Sequence, residues 1–384
     1  VFSLFLLSFS FLILFVKHLI AAAFSFAIAA LSALAQSVVS PEVHPDSSIT
    51  FQLLAPKAQA VQLHCESLSD INMTKGATGI WTYTTKPLEP DIYTYTFDVD
   101  GVRMIDPANA FIKYNLLNTV SQVEVPGPLS LHQPWEITDV PHGELHRHFF
   151  RSAVCNDDRD FIVYTPPGYQ PRAFKRYPVL YLLHGFSDDT TAWTQAGRAN
   201  VILDNLIAHG QAKPMIVVMP LGYGDMAVVK APKGPAGDAL HKHSQEKFTE
   251  SLLTEVMPQV EKQYRVSANR RARAIAGLSM GGKEALTTGL NHLDKFAWVG
   301  GFSSAWITNS SESFPTLDSG ANKKLRLLWI GCGNKDGLLK PNQKLCDWLR
   351  GKDIKFTWVE LPGQHSYRVW RPDLVLFASL LFRD

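Results

Sequence analysis

Ala274-Ile275-Ala276 leads through Gly277-Leu278-Ser279-Met280-Gly281-Gly282 into the helix-forming stretch Lys283-Glu284-Ala285-Leu286-Thr287-Thr288. A Gly-x-Ser-x-Gly pentapeptide set between a strand and a helix specifies a turn so tight that flanking side chains would collide, hence the glycines. The strain holds the Ser279 hydroxyl clear of the sheet, where a substrate carbonyl can reach it. A chain that contains this turn needs a sheet to carry the strand and helices to cover it. Chance alone gives about 0.1 such pentapeptides in a chain of this length, so the surrounding sequence has to decide what the motif means.

The texture from His146 onward fits that requirement. Short apolar strands are predicted at 161–164, 179–183, 216–219, 274–278, 298–302, 325–331 and 356–361. Helical segments at 199–209, 245–264, 283–293 and 342–350 alternate with them. In the second of these, Phe248, Leu252, Val256 and Val260 recur every four residues as one apolar stripe, and Pro258 should bend the helix. This alternation implies a mostly parallel central sheet covered by helices on both faces. The region before it is different. Ser48–Leu53, Val61–Leu63, Trp81–Tyr83 and Tyr93–Val99 alternate in polarity, with Pro, Gly and Asp between them, as in a small antiparallel β-sandwich. Tyr93, Tyr95 and Phe97 share one face of a strand and read as core filling rather than a sugar platform. The expected organisation is a leader over 1–35, a sandwich over 36–127, a linker over 128–145 beginning in Pro126-Gly127-Pro128, and a catalytic domain over 146–384.

The leader is almost wholly apolar, apart from Lys17-His18. Its second part has a basic residue, an apolar run and the small-x-small ending Ala33-Leu34-Ala35, as an export signal does. The alternative is a membrane anchor, since the whole stretch is long enough to span a bilayer. Either way the folded part is expected outside the cytoplasm, secreted or periplasmic, with the membrane touched only through an uncleaved leader. A formal net charge of +2 and short basic runs such as Asn269–Arg273 argue against a nucleic-acid partner. The four cysteines, Cys65, Cys155, Cys332 and Cys346, match no zinc spacing; a Cys332–Cys346 bridge and buried thiols are the two readings of the last pair.

A serine hydroxyl is a poor nucleophile until a base takes its proton, and the base needs an orienting acid. Where such an elbow carries the nucleophile, the acid and then the histidine follow it in the chain. Two histidines lie downstream of Ser279. His292 belongs to the helix that the elbow starts and would point away, whereas His365 follows the last strand in a loop, where the base belongs. Among the carboxylates between them, Asp347 and Asp353 fall towards the wrong end of the sheet and Glu360 lies within a strand. Asp336 comes just after Leu328–Gly331, at the carboxyl end where sites in open α/β sheets collect. Oxyanion donors are expected from the backbone N–H groups of Met280 and Phe186, the latter in His184-Gly185-Phe186 after the strand at 179–183. His184 is expected to buttress that loop.

Tyr181–Gly185 with Trp193, Pro214–Pro220, Gly277–Gly282, Trp329–Gly333, and His365 with Trp370-Arg371 occur here in an order that resembles the esterase D-like α/β-hydrolases. Within that group the chain looks most like carbohydrate esterase family one, the feruloyl and acetylxylan esterases. The front region, with Asp100-Gly101 and Asp106-Pro107, resembles immunoglobulin-like early-set modules related to glycogen-binding and isoamylase N-terminal domains. The resemblance implies an α/β-hydrolase fold preceded by an immunoglobulin-like sandwich, and serine-ester hydrolysis through an acyl-enzyme with no metal or organic cofactor. The implied partner is a hydroxycinnamoylated or acetylated polysaccharide or oligosaccharide. Trp193, Tyr223, Trp306 and Tyr367 are the aromatic candidates for stacking on the acyl group, and Trp370 reads as core. The insertion from Gly222 to His243 is expected as a lid or a flank of the acyl pocket. A siderophore trilactone esterase and an acyltransferase on the same core are the alternative enzymes, and a non-catalytic carbohydrate-binding protein is the alternative of another class.

Overall fold

The computed structural model describes residues 38–66, 68–128 and 132–383. The expected leader lies outside them, and among the described residues no helix is long and apolar enough to cross a membrane.

The front region is built from β1 (Glu42–Val43), β2 (Ile49–Leu54), β3 (Val61–Cys65), β4 (Ile71–Asn72), β5 (Thr74–Lys75), β6 (Ile80–Thr84), β7 (Asp91–Val99), β8 (Val102–Met104), β9 (Ile112–Lys113) and β10 (Val120–Val125). They form two antiparallel sheets, ordered β1-β2-β6-β5 and β4-β3-β7-β10-β9, with β8 on β7. Alternate side chains of both sheets, Phe51, Leu53 and Trp81 from one and Leu63, Tyr93, Tyr95 and Phe97 from the other, meet in one core. The three aromatic residues of β7 therefore fill this core, as their period-2 spacing indicated.

The third sheet contains β11 (Glu144–Arg151), β12 (Asp158–Thr165), β13 (Val179–Leu183), β14 (Ile216–Pro220), β15 (Arg273–Leu278), β16 (Trp298–Phe302), β17 (Leu327–Gly333) and β18 (Thr357–Leu361). Their order is β11-β12-β14-β13-β15-β16-β17-β18, and only β12 runs against the rest. The strand β13 shows why such a sheet reads as continuous apolar sequence. Val179, Tyr181 and Leu183 enter one core while Leu180 and Leu182 enter the other, so neither face meets water. The helices are α1 (Ala192–Gln195), α2 (Ala199–Ala208), α3 (Pro235–Ser251), α4 (Met257–Gln263), α5 (Ser279–Asn291), α6 (Ser310–Ser313), α7 (Leu339–Gly351) and α8 (Tyr367–Leu380). The apolar sides of α3, α4, α5 and α7 cover one face, and those of α1, α2 and α8 cover the other.

Two local departures have physical causes. The stripe Phe248–Leu252–Val256–Val260 is buried as expected, but it continues through a π-helical turn at Leu252–Val256, where the Met257 N–H reaches back to the Leu252 carbonyl. That wider turn absorbs the missing donor and the ring bulk of Pro258. The Gly222–His243 insertion does not form a separate lid. Its last residues are the opening turns of α3, and Met226–Lys230 is a 3₁₀ turn capped by Asp225. The linker is also more structured than its composition suggests. Asn205 of α2 donates to the carbonyls of Pro134 and Glu136, and strand β11 already begins at Glu144. All four cysteines are free thiols, and burial pushes Cys65, Cys332 and Cys346 up to about 12.

Helix α8 joins the two parts of the molecule. Arg371, fully buried, donates to Asp91 Oδ1 of β7 at 2.5 Å, to the Ile92 carbonyl at 3.0 Å and to the Ala196 carbonyl at 2.6 Å, while Arg368 Nε reaches Asp91 Oδ2 at 3.0 Å. Two residues further on, Asp373 is buried with Oδ1 accepting from Trp329 Nε1 at 2.9 Å and Oδ2 without a protein partner. Burial pushes its carboxyl up to about 8. The folded chain thus keeps a proton that the unfolded chain releases near pH 4, so stability falls as pH rises between those values and levels off above about 8. Asp373→Asn, which needs no proton to be neutral, should remove this slope and raise the melting temperature by several degrees at pH 8 while changing little at pH 4. Thermal melts of both proteins across that range would check it.

Candidate active site

Ser279 stands at the junction of β15 and α5 with φ of +53°, a region an L-residue enters at a cost. The flanking glycines explain why the turn closes. A Cβ on Gly277 would lie 2.5 Å from the Gly281 carbonyl oxygen, and one on Gly281 would lie 2.3 Å from that of His184. The backbone of the elbow therefore packs directly on itself and on the end of β13. Because α5 begins at Ser279, the Met280 N–H belongs to its first turn and has no intrahelical acceptor.

The three side chains read from chain order come together at the carboxyl ends of β15, β17 and β18. His365 Nε2 lies 2.9 Å from Ser279 Oγ, and His365 Nδ1 lies 2.8 Å from Asp336 Oδ2. The Asp336 side chain is fully buried, while that of His365 keeps 37% of its surface open to solvent. Burial pushes the Asp336 carboxyl up, but hydrogen bonds from His365 and from the Leu338 N–H outweigh it and hold the group below the usual carboxylate range. The Trp370 ring packs perpendicular to the imidazole, with centroids 4.9 Å apart at 87°. Trp370 is thus a core residue that also fixes one side of His365, a contact that its core assignment did not anticipate. Such a line can take a proton from the hydroxyl and hold the resulting imidazolium next to a carboxylate.

The loop after β13 borders the same point. A Cβ on Gly185 would lie 2.7 Å from Leu278 Cδ1 and 3.5 Å from Ser279 Cβ, so the backbone passes the nucleophile closely. Among the described residues, neither the Phe186 nor the Met280 N–H has a protein acceptor, which leaves both free for a developing oxyanion. His184, 2% exposed, ties the loop in place. Its Nε2 accepts the Gly222 N–H at 2.9 Å, so Nδ1 carries the proton and donates to the Gly185 carbonyl at 2.8 Å. Burial holds its imidazole below the ordinary histidine range, which keeps it neutral. Among the described residues no cluster of His, Cys, Asp and Glu could hold a metal ion.

The aromatic candidates divide. Trp306 is 55% exposed on the loop after β16 and remains available to a ligand. Trp193, Tyr223 and Tyr367 do not: all three are buried, and their polar ends are spent inside the protein. Trp193 Nε1 donates to the Leu183 carbonyl, Tyr223 OH to the Asp188 carbonyl and Tyr367 OH to Asp188 Oδ2. Burial of each ring beside these acceptors, rather than a loop position, decides its role, and the expectation that these three stack on substrate is corrected. An exposed aromatic group in the loop beside Ser279 that the sequence reading did not consider for stacking is the Phe186 ring itself. It is 40% exposed and faces His241 of α3 with centroids 6.2 Å apart.

A mostly parallel sheet with a serine elbow, a loop histidine and a buried aspartate at its carboxyl ends defines an α/β-hydrolase. The family model described as "Putative esterase" matches residues 152–377, more than half of the chain, and the chain belongs to that esterase family. A curated relative from Xylanibacter ruminicola, an endo-1,4-beta-xylanase/feruloyl esterase, is 29% identical over 353 residues, which is 89% of this chain and 46% of the relative. The chain therefore spans less than half of that relative's length. A ferulic acid esterase of carbohydrate esterase family one from Anaeromyces mucronatus, solved with ferulic acid, is 25% identical, with a TM-score of 0.56 over 64% of this chain and 93% of the other. The enterobactin esterase of Shigella flexneri shares the fold at 21% identity, with a TM-score of 0.63 over 87% of this chain and 92% of the other.

Proposed function

We propose that this protein is an exported serine carboxylic-ester hydrolase that removes feruloyl or acetyl groups from plant cell-wall polysaccharide. The observation that carries the chemistry is the hydrogen-bonded line from Ser279 through His365 to Asp336 beside two free backbone N–H groups. Ser279 Oγ attacks the ester carbonyl as His365 Nε2 takes its proton, and the oxyanion settles against the Phe186 and Met280 amides. Collapse expels the alcohol, which leaves with the proton from His365. Water, activated by the same imidazole, then cleaves the acyl-serine. No step needs a metal or an organic cofactor. The plant-polysaccharide substrate is supported by the xylanase/feruloyl esterase relative and by the ferulic acid esterase likeness. Export is our reading of the leader. The front sandwich we assign to the immunoglobulin-like early-set class, with domain limits at 36–127 and 146–384.

The second reading is a siderophore trilactone esterase, to which the enterobactin esterase likeness over 87% of the chain points. Methyl ferulate, methyl sinapate, acetylated xylan and a ferric catecholate trilactone, assayed side by side, separate the two. Turnover of at least one of the first three about 100-fold or more above the trilactone, a gap of about 2.7 kcal/mol in transition-state binding, is the expected result. The reverse ratio would transfer the assignment to siderophores. Partition of the acyl group to an added alcohol in preference to water would instead identify an acyltransferase.

A further inference from the structure

Phe186 is followed by Ser187, whose φ is +64°, and by Asp188, which is 3% exposed. What holds these two residues comes largely from the front region, from the segment that begins in β9. Lys113 Nζ donates to Asp188 Oδ1 at 2.6 Å, and Asn115 Nδ2 donates to the same oxygen at 2.8 Å and to Ser187 Oγ at 3.0 Å. The Leu116 N–H donates to the Ser187 carbonyl at 2.7 Å. On its other side Asp188 accepts Tyr367 OH, from the helix that follows His365, and its N–H closes a turn on the Gly185 carbonyl at 3.3 Å. The peptide that presents the Phe186 amide is thus pinned on one side by His184 and on the other by Lys113–Leu116. The ammonium and carboxylate sit at 15% and 5% side-chain exposure, with the ammonium 5.5 Å from the Tyr367 ring centroid.

We infer that Lys113 and Asn115 are positioning residues of the oxyanion hole, so that the front sandwich is a working part of the esterase site rather than an appended module. The inference rests on the serine-hydrolase reading above. Its physical basis is that an oxyanion donor acts only when it is preorganised, and a displacement of about 1 Å can cost about 100-fold in rate. A surface ion pair would be worth little, but this one is largely desolvated and its acceptor lies two residues from the donor amide. Removing Lys113 leaves a buried carboxylate uncompensated, which frees the loop to shift.

The test uses the full chain with Lys113→Met, Asn115→Ala and the charge-balanced pair Lys113→Met/Asp188→Asn. The last keeps the interior neutral in case the single variant fails to fold. Each is assayed on a p-nitrophenyl ester and on its thionoester, whose sulfur is a poor hydrogen-bond acceptor and so gains little from the oxyanion hole. The expected result is a kcat about 10- to 100-fold lower with KM within about 3-fold, and a smaller preference for the oxygen ester over the thionoester. Lys113→Arg should recover part of both. A folded double variant with wild-type kcat and an unchanged preference would overturn the inference, as would a loss that follows the melting temperature alone. Ser279→Ala, run in parallel, keeps the two claims apart. If it is inactive while the Lys113 variants are normal, only the positioning role fails; if it stays active, the serine reading itself fails.

Discussion

Replacing Ser279 with alanine is expected to lower kcat for p-nitrophenyl acetate and methyl ferulate by about a million-fold, the scale seen when a serine of such a set is removed. The loss is large because the Ser279 hydroxyl is the one that His365 Nε2 reaches. The thiols of Cys65, Cys332 and Cys346 are no substitute, since burial pushes them up to about 12, far from a reactive thiolate. The fold should survive, since the substitution removes one partly exposed oxygen and leaves the Gly277–Gly281 packing untouched. A small residual rate above that of water is expected, because the Phe186 and Met280 amides would still polarise a bound ester. Progress curves at high enzyme concentration, with circular dichroism to establish folding, make the measurement. Retention of more than about a tenth of the activity would show that another group is the nucleophile.

Asp336→Asn is expected to cost about 10,000-fold in kcat, with little change in KM. Asp336 Oδ2 accepts the Nδ1 proton of His365, which leaves the Nε2 lone pair facing Ser279 Oγ. An asparagine amide can donate to Nδ1 instead. That moves the ring proton to Nε2, where it blocks the transfer. The side chain is wholly buried, so water cannot replace the lost carboxylate. Since the hydrogen bonds to Asp336 hold it below the usual carboxylate range, the wild-type group stays ionised throughout the neutral region, and the contrast between the two proteins should persist there. Steady-state rates of both proteins from pH 6 to 9 would check this. A variant within about 10-fold of wild type would remove Asp336 from the relay.

Seven of the eight strands of the third sheet were legible because each contains a short apolar run; the edge strand β11, Glu144–Arg151, was not read, because its polar and charged residues leave no such run. The limits expected for β13 and β16 match the observed Val179–Leu183 and Trp298–Phe302. Helix α8 was not read from the sequence, although Val369, Trp370, Leu374, Phe377 and Ala378 form its buried stripe. Pro372 and the two arginines at 368 and 371 disguise the pattern, and they become intelligible only once Asp91 is seen to receive both guanidinium groups. The helix that starts within the insertion at 222–243 was hidden for a related reason. Its glycines, prolines and lysines read as a loop, yet Pro235 occupies the first helical turn, where its missing N–H costs nothing.

Order along the chain carried the candidate site because backbone direction alone places strand ends. Ser279, Asp336 and His365 each follow the carboxyl end of a strand, and parallel strands bring those ends to one edge. Side-chain exposure obeys no such local rule. Trp193, Tyr223 and Tyr367 follow strand ends as Trp306 does, but whether a ring meets solvent depends on what packs over it from distant parts of the chain. The Lys113–Asp188 contact spans 75 residues and joins two sheets, and no pattern within either segment announces it. Turn chemistry and apolar periodicity act over a few residues and are written into the chain; desolvation and ion pairing belong to the folded interior, which alone decided how the oxyanion loop is held.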